Sequence, residues 1–382
     1  MKKMAVGIMS GTSLDGIDVV IASIEGFYKD THIEIKAFKT YPFEELLVQK
    51  IKDAMSNQTC TPALMASLHM ELGYAFGYAA KKLCEESKVS LDDIDFVASH
   101  GQTIWHINED SSNFHRSSLQ LGEGSAIASI MMSTVISNFR CADIAQGGVG
   151  APLVPYVDYI LFSDDKTSRS LHNLGGISNL TFLKAGGSED DVIAFDTGPA
   201  NMMINRAVHV LYQKPFDEDG KMARSGDIIQ NMLDELMEHL YLKQVPPKST
   251  GREIFGDAFT DAYLAKYKSE KKEDIIATLT HFTSQSIVKA YQDFICNNHH
   301  LDEIIFSGGG AKNKYLLELI KKGLPNIEIK KLEDDYFDSQ IKEALAFLIL
   351  GNETLNHNPS NMLKATGAKQ KAILGQINYF HK

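Results

Sequence analysis

The first residues with the makings of chemistry are Gly7-Ile8-Met9-Ser10-Gly11-Thr12-Ser13-Leu14-Asp15-Gly16-Ile17-Asp18. Glycines, hydroxyls and two carboxylates crowd a turn between the apolar run Met4 to Met9 and the β-branched run Ile17 to Ile24. Such a turn presents unpaired backbone N–H groups and hydroxyls at one point, and glycine lets that backbone close on a polyphosphate. Gly11, Thr12, Ser13, Leu14, Asp15, Gly16, Ile17 and Asp18 are therefore candidate contacts to a nucleotide. Asp15 and Asp18 are carboxylates of the kind that hold Mg2+, usually through its waters. The stretch is not a Walker A loop, since no G-K-[ST] follows, nor a Rossmann fingerprint, since no helix opens after the glycines. An ordinary polar hairpin turn would have a similar composition.

Further along, Leu171 to Phe182 alternates apolar and polar residues around Gly175-Gly176, a second glycine-turned hairpin that echoes the first. Ser307-Gly308-Gly309-Gly310-Ala311-Lys312-Asn313 follows a short strand and precedes a helix. Gly308, Gly309 and Gly310 either admit a flat nucleoside against bare backbone or form a tight strand-to-helix turn.

Two carboxylates stand out. Asp143, in Arg140-Cys141-Ala142-Asp143, follows an apolar strand that ends in a turn, where carboxylates reach into clefts; it reads equally as a helix cap or a partner of Arg140. Asp196, in Asp196-Thr197-Gly198-Pro199, sits at a strand end, placed to hold magnesium or to cap a helix starting near Ala200. His100, beside Gly101 and Gln102, suits substrate contact or a hydrogen-bonded structural role. His106 and His115 read as surface or loop residues, and Trp105 as core or rim. Glu343, on a helix Ser339 to Leu350, is a late candidate for the nucleotide or sugar cleft; a Lys342-Glu343 pair is otherwise a solvated helix face.

These residues need elements to position them. Phe43 to Ser56 and Thr61 to Lys88 read as amphipathic helices, the second with Thr61 as N-cap, Pro62 at the first helical position, and Gly73 and Gly77 marking close helix packing. Short strands are expected at Asp95 to Ser99, Thr134 to Ser137, Val192 to Phe195 and Glu303 to Phe306. Helices are expected at Met202 to Tyr212, Asp257 to Lys268, Glu273 to Asn297 and Lys314 to Lys321. Residues 213–256 read as a loop insertion near a site. Two glycine-turn hairpins, each followed by mixed α/β sequence, predict an α/β protein of two similar domains facing each other across a cleft.

The chain has 382 residues, a formal net charge of −11, 44% hydrophobic and 23% charged residues. That length suggests two domains, and the charge argues against a nucleic-acid partner, which needs a basic face. Cys60, Cys84, Cys141 and Cys296 are far apart, so neither a zinc site nor a disulfide framework is expected. Neither a signal peptide nor a membrane span is recognisable, which points to the cytoplasm.

Taken together, the first hairpin, the second hairpin and the triple-glycine turn resemble, in order, the phosphate-1, phosphate-2 and adenosine elements of the sugar kinase, actin and Hsp70 superfamily, with its paired ribonuclease H-like domains. Within it the chain closely resembles the anhydro-N-acetylmuramic acid kinase family. The resemblance is carried by the first hairpin, Ser99-His100-Gly101-Gln102-Thr103, Asn138 to Ala145, Gly147-Gly148-Val149-Gly150-Ala151-Pro152-Leu153-Val154-Pro155, Asn173 to Asn179 and Asp196 to Pro199. Val149 stands where the family pattern has glutamine, which leaves the backbone turn intact but would remove any side-chain hydrogen bond made there.

The resemblance implies ATP and Mg2+ as partners and conversion of 1,6-anhydro-N-acetylmuramic acid to N-acetylmuramic acid 6-phosphate, a step in peptidoglycan recycling. Water opens the anhydro bridge at C1 while O6 takes the γ-phosphoryl group, so one general base is required. Asp143 is the expected base. His100, Gln102, Arg140, Asp196 and Glu343 are the expected sugar contacts, with Arg140 either balancing the sugar carboxylate or holding Asp143. A first domain of residues 1–135, closed by about 360–382, a second of 136–359, domain closure over the sugar, and a homodimer complete the expectation. The alternatives are phosphorylation of a common hexose and a non-enzymatic, nucleotide-gated binding protein.

Overall fold

The structure, a computed structural model, describes residues 2–337 and 340–381. The chain forms two compact units, Met1–Leu161 with Gln340–Lys382, and Phe162–Ser339. Residues 136–161 and 340–359, expected in the second domain, thus cluster with the first, bringing Asp143 and Glu343 into the unit that carries the first hairpin.

In the first unit, β1 (Lys3–Ser10), β2 (Ile17–Glu25) and β3 (His32–Tyr41) form an antiparallel meander. β4 (Phe96–Ile107) lies parallel to β1, and β6 (Thr134–Ser137) parallel to β4, giving the order β3-β2-β1-β4-β6; β5 (Ser117–Leu121) folds back on β4, and Gln376–Asn378 covers the far edge. The strand expected to end at Ser99 runs on through His100 to Thr103, so those residues are fixed by a ladder and not by a loop. Tertiary pairing with β5 extends it, a long-range effect with no local signal.

The helix Pro62–Glu86 begins where its capping signals place it: the Thr61 hydroxyl accepts the Leu64 amide. Leu68, Leu72, Phe76, Ala79, Ala80 and Leu83 fall on one stripe and are buried in the core. Gly73 and Gly77 let it approach the helix Gly124–Met131; a Cβ on Gly73 would lie 2.6 Å from the Glu123 carbonyl oxygen.

In the second unit, β7 (Arg169–Leu174), β8 (Ile177–Leu183) and β9 (Ile193–Pro199) again form a meander, with β10 (Glu303–Ser307) parallel to β7 and β11 (Glu328–Lys331) parallel to β10. The order β9-β8-β7-β10-β11 repeats that of the first unit strand for strand. β9 continues beyond Phe195, so Asp196 to Pro199 lie in a strand and not in a turn; an irregularity opposite Ser178/Asn179 accommodates them. Residues 213–256, expected as a loop, carry the helices Lys221–Ser225, Gln230–Met237, Leu240–Lys243 and Arg252–Phe255. Met232, Leu233, Leu236, Tyr241, Leu242 and Phe255 from this stretch join a second apolar core with the helices Asn201–Tyr212 and Lys272–Tyr291.

Candidate active site

In the first unit the turn between β1 and β2 leaves Thr12, Ser13 and Asp15 exposed, while Gly11, Leu14 and Asp18 are half-buried. A Cβ on Gly11 would meet only the Ser13 hydroxyl, at 3.5 Å, so the backbone there is open to close approach. Ile17 is a buried core side chain, so only its backbone is available to a ligand. Asp18 accepts from the Thr40 hydroxyl; burial lifts its carboxyl above the ordinary range, and the charge of Asp15 adds to the rise. Among the described residues neither carboxylate has a cationic partner. Two carboxylates on one turn without a cationic counterpart suit a hydrated divalent cation, and no cluster of three metal-ligating side chains occurs among the described residues.

Gln102, expected at the sugar, is 0% exposed. Its Oε1 accepts from Ser10 Oγ at 2.6 Å and its Nε2 donates to the Gly11 carbonyl at 3.3 Å, so it braces the first hairpin from below. His100 is also buried, its ring 4.5 Å from that of Phe347. Its Nδ1 donates to the Gly101 carbonyl at 2.8 Å, which leaves Nε2 as an acceptor for Arg140 Nε at 3.2 Å and Nη2 at 2.9 Å. Burial, aided by the guanidinium, pulls His100 down to about 3, so it stays neutral. Arg140 Nη1 donates to the Gly150 carbonyl at 2.7 Å, and burial lowers the guanidinium to about 10.

Asp143 lies in the short helix Cys141–Ala145 and is 0% exposed. Its Oδ1 accepts from Asn361 Nδ2 at 2.9 Å and Thr366 Oγ1 at 2.7 Å, and its Oδ2 from the Gly150 amide at 2.8 Å. It neither caps the helix nor pairs directly with Arg140: it fastens the Gly147 to Pro152 loop. A Cβ on Gly148 would collide with the carboxylate, which is why bare backbone passes there. Val149 donates its amide to the Thr366 carbonyl at 2.9 Å, so the glutamine-to-valine change leaves this loop pinned through its backbone.

Glu343 stands on the first turn of the helix Ile341–Leu355, and Ser339, where this helix was expected to start, lies outside the described residues. Surrounding protein and the charge of Asp18 raise the Glu343 carboxyl, yet solvent reaches it, so it stays available to a ligand. Lys342 is no solvated partner of Glu343; it is buried in an ion pair with Asp158 at 2.8 Å. Trp105, 44% exposed, is a rim residue, and His106 Nδ1 bonds Ser118 Oγ at 2.8 Å.

In the second unit the turn at Gly175-Gly176 is coupled to the helix Asn201–Tyr212. The Ala200 and Met202 amides donate to the Gly176 carbonyl, and the Asn201 amide and side chain to that of Gly175. The helix start is thereby satisfied by the hairpin, and Asp196 does not cap it. Beneath, a buried chain of hydrogen bonds runs from Thr197 Oγ1 to Ser178 Oγ (2.6 Å), Ser178 to His172 Nε2 (2.7 Å), His172 Nδ1 to Tyr291 (2.8 Å) and Tyr291 to Ser170 (2.8 Å). This order requires neutral His172, which burial pulls down to about 3. In the triple-glycine turn, Gly308 has φ +82°, and a Cβ on Gly310 would lie 2.7 Å from Leu174 Cβ. Of the three, only Gly309 faces open space: a Cβ there would have no neighbour nearer than Asn201 Nδ2, at 3.9 Å.

Asp196 is half-buried on β9 and its side chain accepts one hydrogen bond, from the Thr250 amide to Oδ2 at 2.8 Å. Burial is the main cause that lifts it to about 6; the Thr250 amide and Lys248 oppose the rise and Glu253 adds to it. Lys248 and Thr250 were missed as site residues. The available signal was Pro246-Pro247-Lys248-Ser249-Thr250-Gly251-Arg252-Glu253, too polar and too dense in special residues for an idle loop.

Two sheets that share one five-strand order, each with a glycine turn on its first hairpin, make this an α/β protein of two similarly built units, the layout that the resemblance to the sugar kinase, actin and Hsp70 superfamily implies. The family model described as anhydro-N-acetylmuramic acid kinase matches residues 3–380. An anhydro-N-acetylmuramic acid kinase of Francisella tularensis subsp. novicida is 52% identical over 378 residues, 99% of each chain. Those of Bacillus cereus and Clostridioides difficile are each 45% identical, covering 98% of this chain and 98% and 97% of their own. The chain belongs to the anhydro-N-acetylmuramic acid kinase family. Among solved structures, component A of the Acidaminococcus fermentans (R)-2-hydroxyglutaryl-CoA dehydratase aligns over 91% of this chain and 96% of that chain at 15% identity, with a TM-score of 0.45.

Proposed function

We propose that this chain catalyses its family's reaction with Asp196, and not Asp143, as the general base. The kinase opens the 1,6-anhydro bridge of 1,6-anhydro-N-acetylmuramic acid with water and transfers the γ-phosphoryl group of ATP to O6, in the recycling of peptidoglycan. The base takes a proton from water as the water oxygen bonds C1. The C1–O6 bond breaks, O6 attacks the γ-phosphorus, and ADP leaves.

One observation carries the choice of base: among the described residues the Asp196 carboxylate accepts a single hydrogen bond, at Oδ2, and is lifted to about 6, whereas Asp143 is wholly buried with both oxygens already accepting. A base must present a free lone pair to its proton, and its affinity must lie near working pH. Asp143 is assigned to the loop it fastens.

Arg140 is assigned to the lactyl carboxylate. Among the described residues it has no carboxylate at ion-pair distance, and a guanidinium fork suits that group. Glu343 is assigned to the sugar. Gly11 to Asp18, Gly175-Gly176 and Gly308 to Gly310 are assigned to ATP, with Gly309 as the bare surface and Gly308 and Gly310 shaping the turn. Asp15 and Asp18 would hold Mg2+ through its waters; when bound, the ion neutralises phosphate charge. Among the described residues no helix is long and apolar enough to cross a membrane, in keeping with a cytoplasmic enzyme, for which the family resemblance implies a homodimer.

ADP release is measured with the anhydro sugar, with glucose and with no sugar, in oxygen-18 water. Release only with the anhydro sugar, with solvent oxygen at C1, is expected, lost in Asp196→Asn. Hexose-driven release without label at C1 would replace this reading with simple hydroxyl phosphorylation, and full turnover of Asp196→Asn would remove Asp196 from the base role.

A further inference from the structure

The segment from Tyr241 to Thr250 holds Asp196 at its carbonyl, its amide and one carboxylate oxygen. The Tyr241 hydroxyl donates to the Asp196 carbonyl at 2.7 Å. The Asp196 amide donates to the Lys248 carbonyl at 3.2 Å, and the Thr250 amide donates to Asp196 Oδ2 at 2.8 Å. Backbone and side chain are thus both held by a stretch that lies outside the sheet.

Lys248 is fixed within this arrangement. Its ammonium nitrogen lies 4.8 Å from the ring centroid of Tyr241, 5.0 Å from Phe294 and 5.8 Å from Phe195, and donates to the Tyr241 carbonyl at 3.3 Å. Three aromatic faces hold a cation in place without neutralising it. Lys289 and Asp293 also face it, but pair with each other at 2.8 Å. Glu253, exposed on the short helix that follows, supplies a charge of the opposite sign to Lys248. The charged and titratable groups acting on Asp196 are therefore Lys248 and Glu253, with Tyr241 neutral beside them.

We propose that residues 248–253 form a clamp on Asp196 in which Lys248 and Glu253 are positioning residues of opposite sign, holding the carboxylate's orientation and setting its proton affinity without contacting the sugar. The inference rests on Asp196 being the base. Burial pulls Lys248 itself down to about 8, so the clamp carries its positive charge through neutral pH and loses it above that value. Lys248 makes Asp196 easier to ionise and Glu253 makes it harder. Burial sets most of the Asp196 proton affinity, and the two charges adjust it in opposite senses.

The test is the pH dependence of kcat, read by ADP release, for Lys248→Met, Lys248→Arg and Glu253→Gln, with thermal unfolding as a control for folding. Lys248→Met is expected to move the acid limb to higher pH and Glu253→Gln to lower pH. Lys248→Arg should restore the limb, and KM for ATP should change less than about twofold in all three. Acid limbs that stay put, or that move in the same direction, overturn the clamp, since a merely structural role gives no opposed shifts. If Lys248→Met does not fold, Glu253→Gln is titrated by carbon-13 NMR of the Asp196 carboxyl, and an unmoved midpoint overturns the inference. Asp196→Asn separates the two levels: retained turnover there removes the base assignment, whereas lost turnover with unmoved limbs removes only the clamp.

Discussion

Arg140 is held by a neutral imidazole: two of its guanidinium nitrogens converge on His100 Nε2, at 3.2 and 2.9 Å, while His100 Nδ1 is committed to the Gly101 carbonyl. A carboxylate in that place would cancel the charge. An imidazole orients the fork and leaves the cation in force, which suits a group meant to meet an anionic substrate.

His100→Phe keeps the ring against Phe347 but removes the acceptor. The guanidinium N–H groups then lose their partner, and stability is expected to fall by about 1–3 kcal/mol. KM for the anhydro sugar should rise roughly tenfold or more, with KM for ATP unchanged. Urea unfolding and substrate-dependent ADP release check the two effects separately; an unchanged sugar KM would remove Arg140 from the lactyl contact.

Asp143→Asn places an amide where the Gly150, Asn361 and Thr366 donors converge. At least one donor then faces another donor inside the protein, costing about 3 kcal/mol. Activity lost in this variant should return at lower temperature, because the defect lies in folding of the 143–150 loop. Asp196→Asn should instead unfold normally and stay inactive at every temperature.

The wild-type rate should fall roughly tenfold per pH unit below about 6, where Asp196 becomes the carboxylic acid and no longer accepts the proton of water. The same group affects stability in the opposite sense. Its affinity for protons is higher folded than unfolded, so its contribution is fully present below the ordinary aspartate range and is lost as pH rises through about 6. Rate profiles and urea midpoints between pH 4 and 8 read both.

His100 and His172 are pulled down to about 3 by burial, so their contribution to stability is present above the ordinary histidine value and is lost as pH falls from about 6.5 towards 3. The unfolded chain binds protons there that the folded chain refuses. His172→Gln should flatten the acid side of the stability curve while lowering stability at pH 8, because the hydrogen-bonded chain from Thr197 to Ser170 is cut. Chemical denaturation at a series of pH values measures the slope.

The sequence by itself determined the hairpins, the capped helix at Pro62, the duplicated α/β layout and the family, because glycine turns, alternation and capping residues are local signals written in consecutive residues. Tertiary structure decided the rest. The strand read over Asp95 to Ser99 runs on past His100 through pairing with β1 and β5, and Asp196 to Pro199, read as a turn, became strand through pairing with β8, partners far away or out of register in the sequence. Gln102 and Asp143 looked like ligand contacts by residue type, yet folding buries them beneath the turns they brace. Asp196 and Asp143 are the same chemical group; only the surroundings differ. One is left a free oxygen and a raised proton affinity, the other accepts at both oxygens, from Gly150 nearby and from Asn361 and Thr366 more than two hundred positions away, and no local pattern records which carboxylate the fold will enclose.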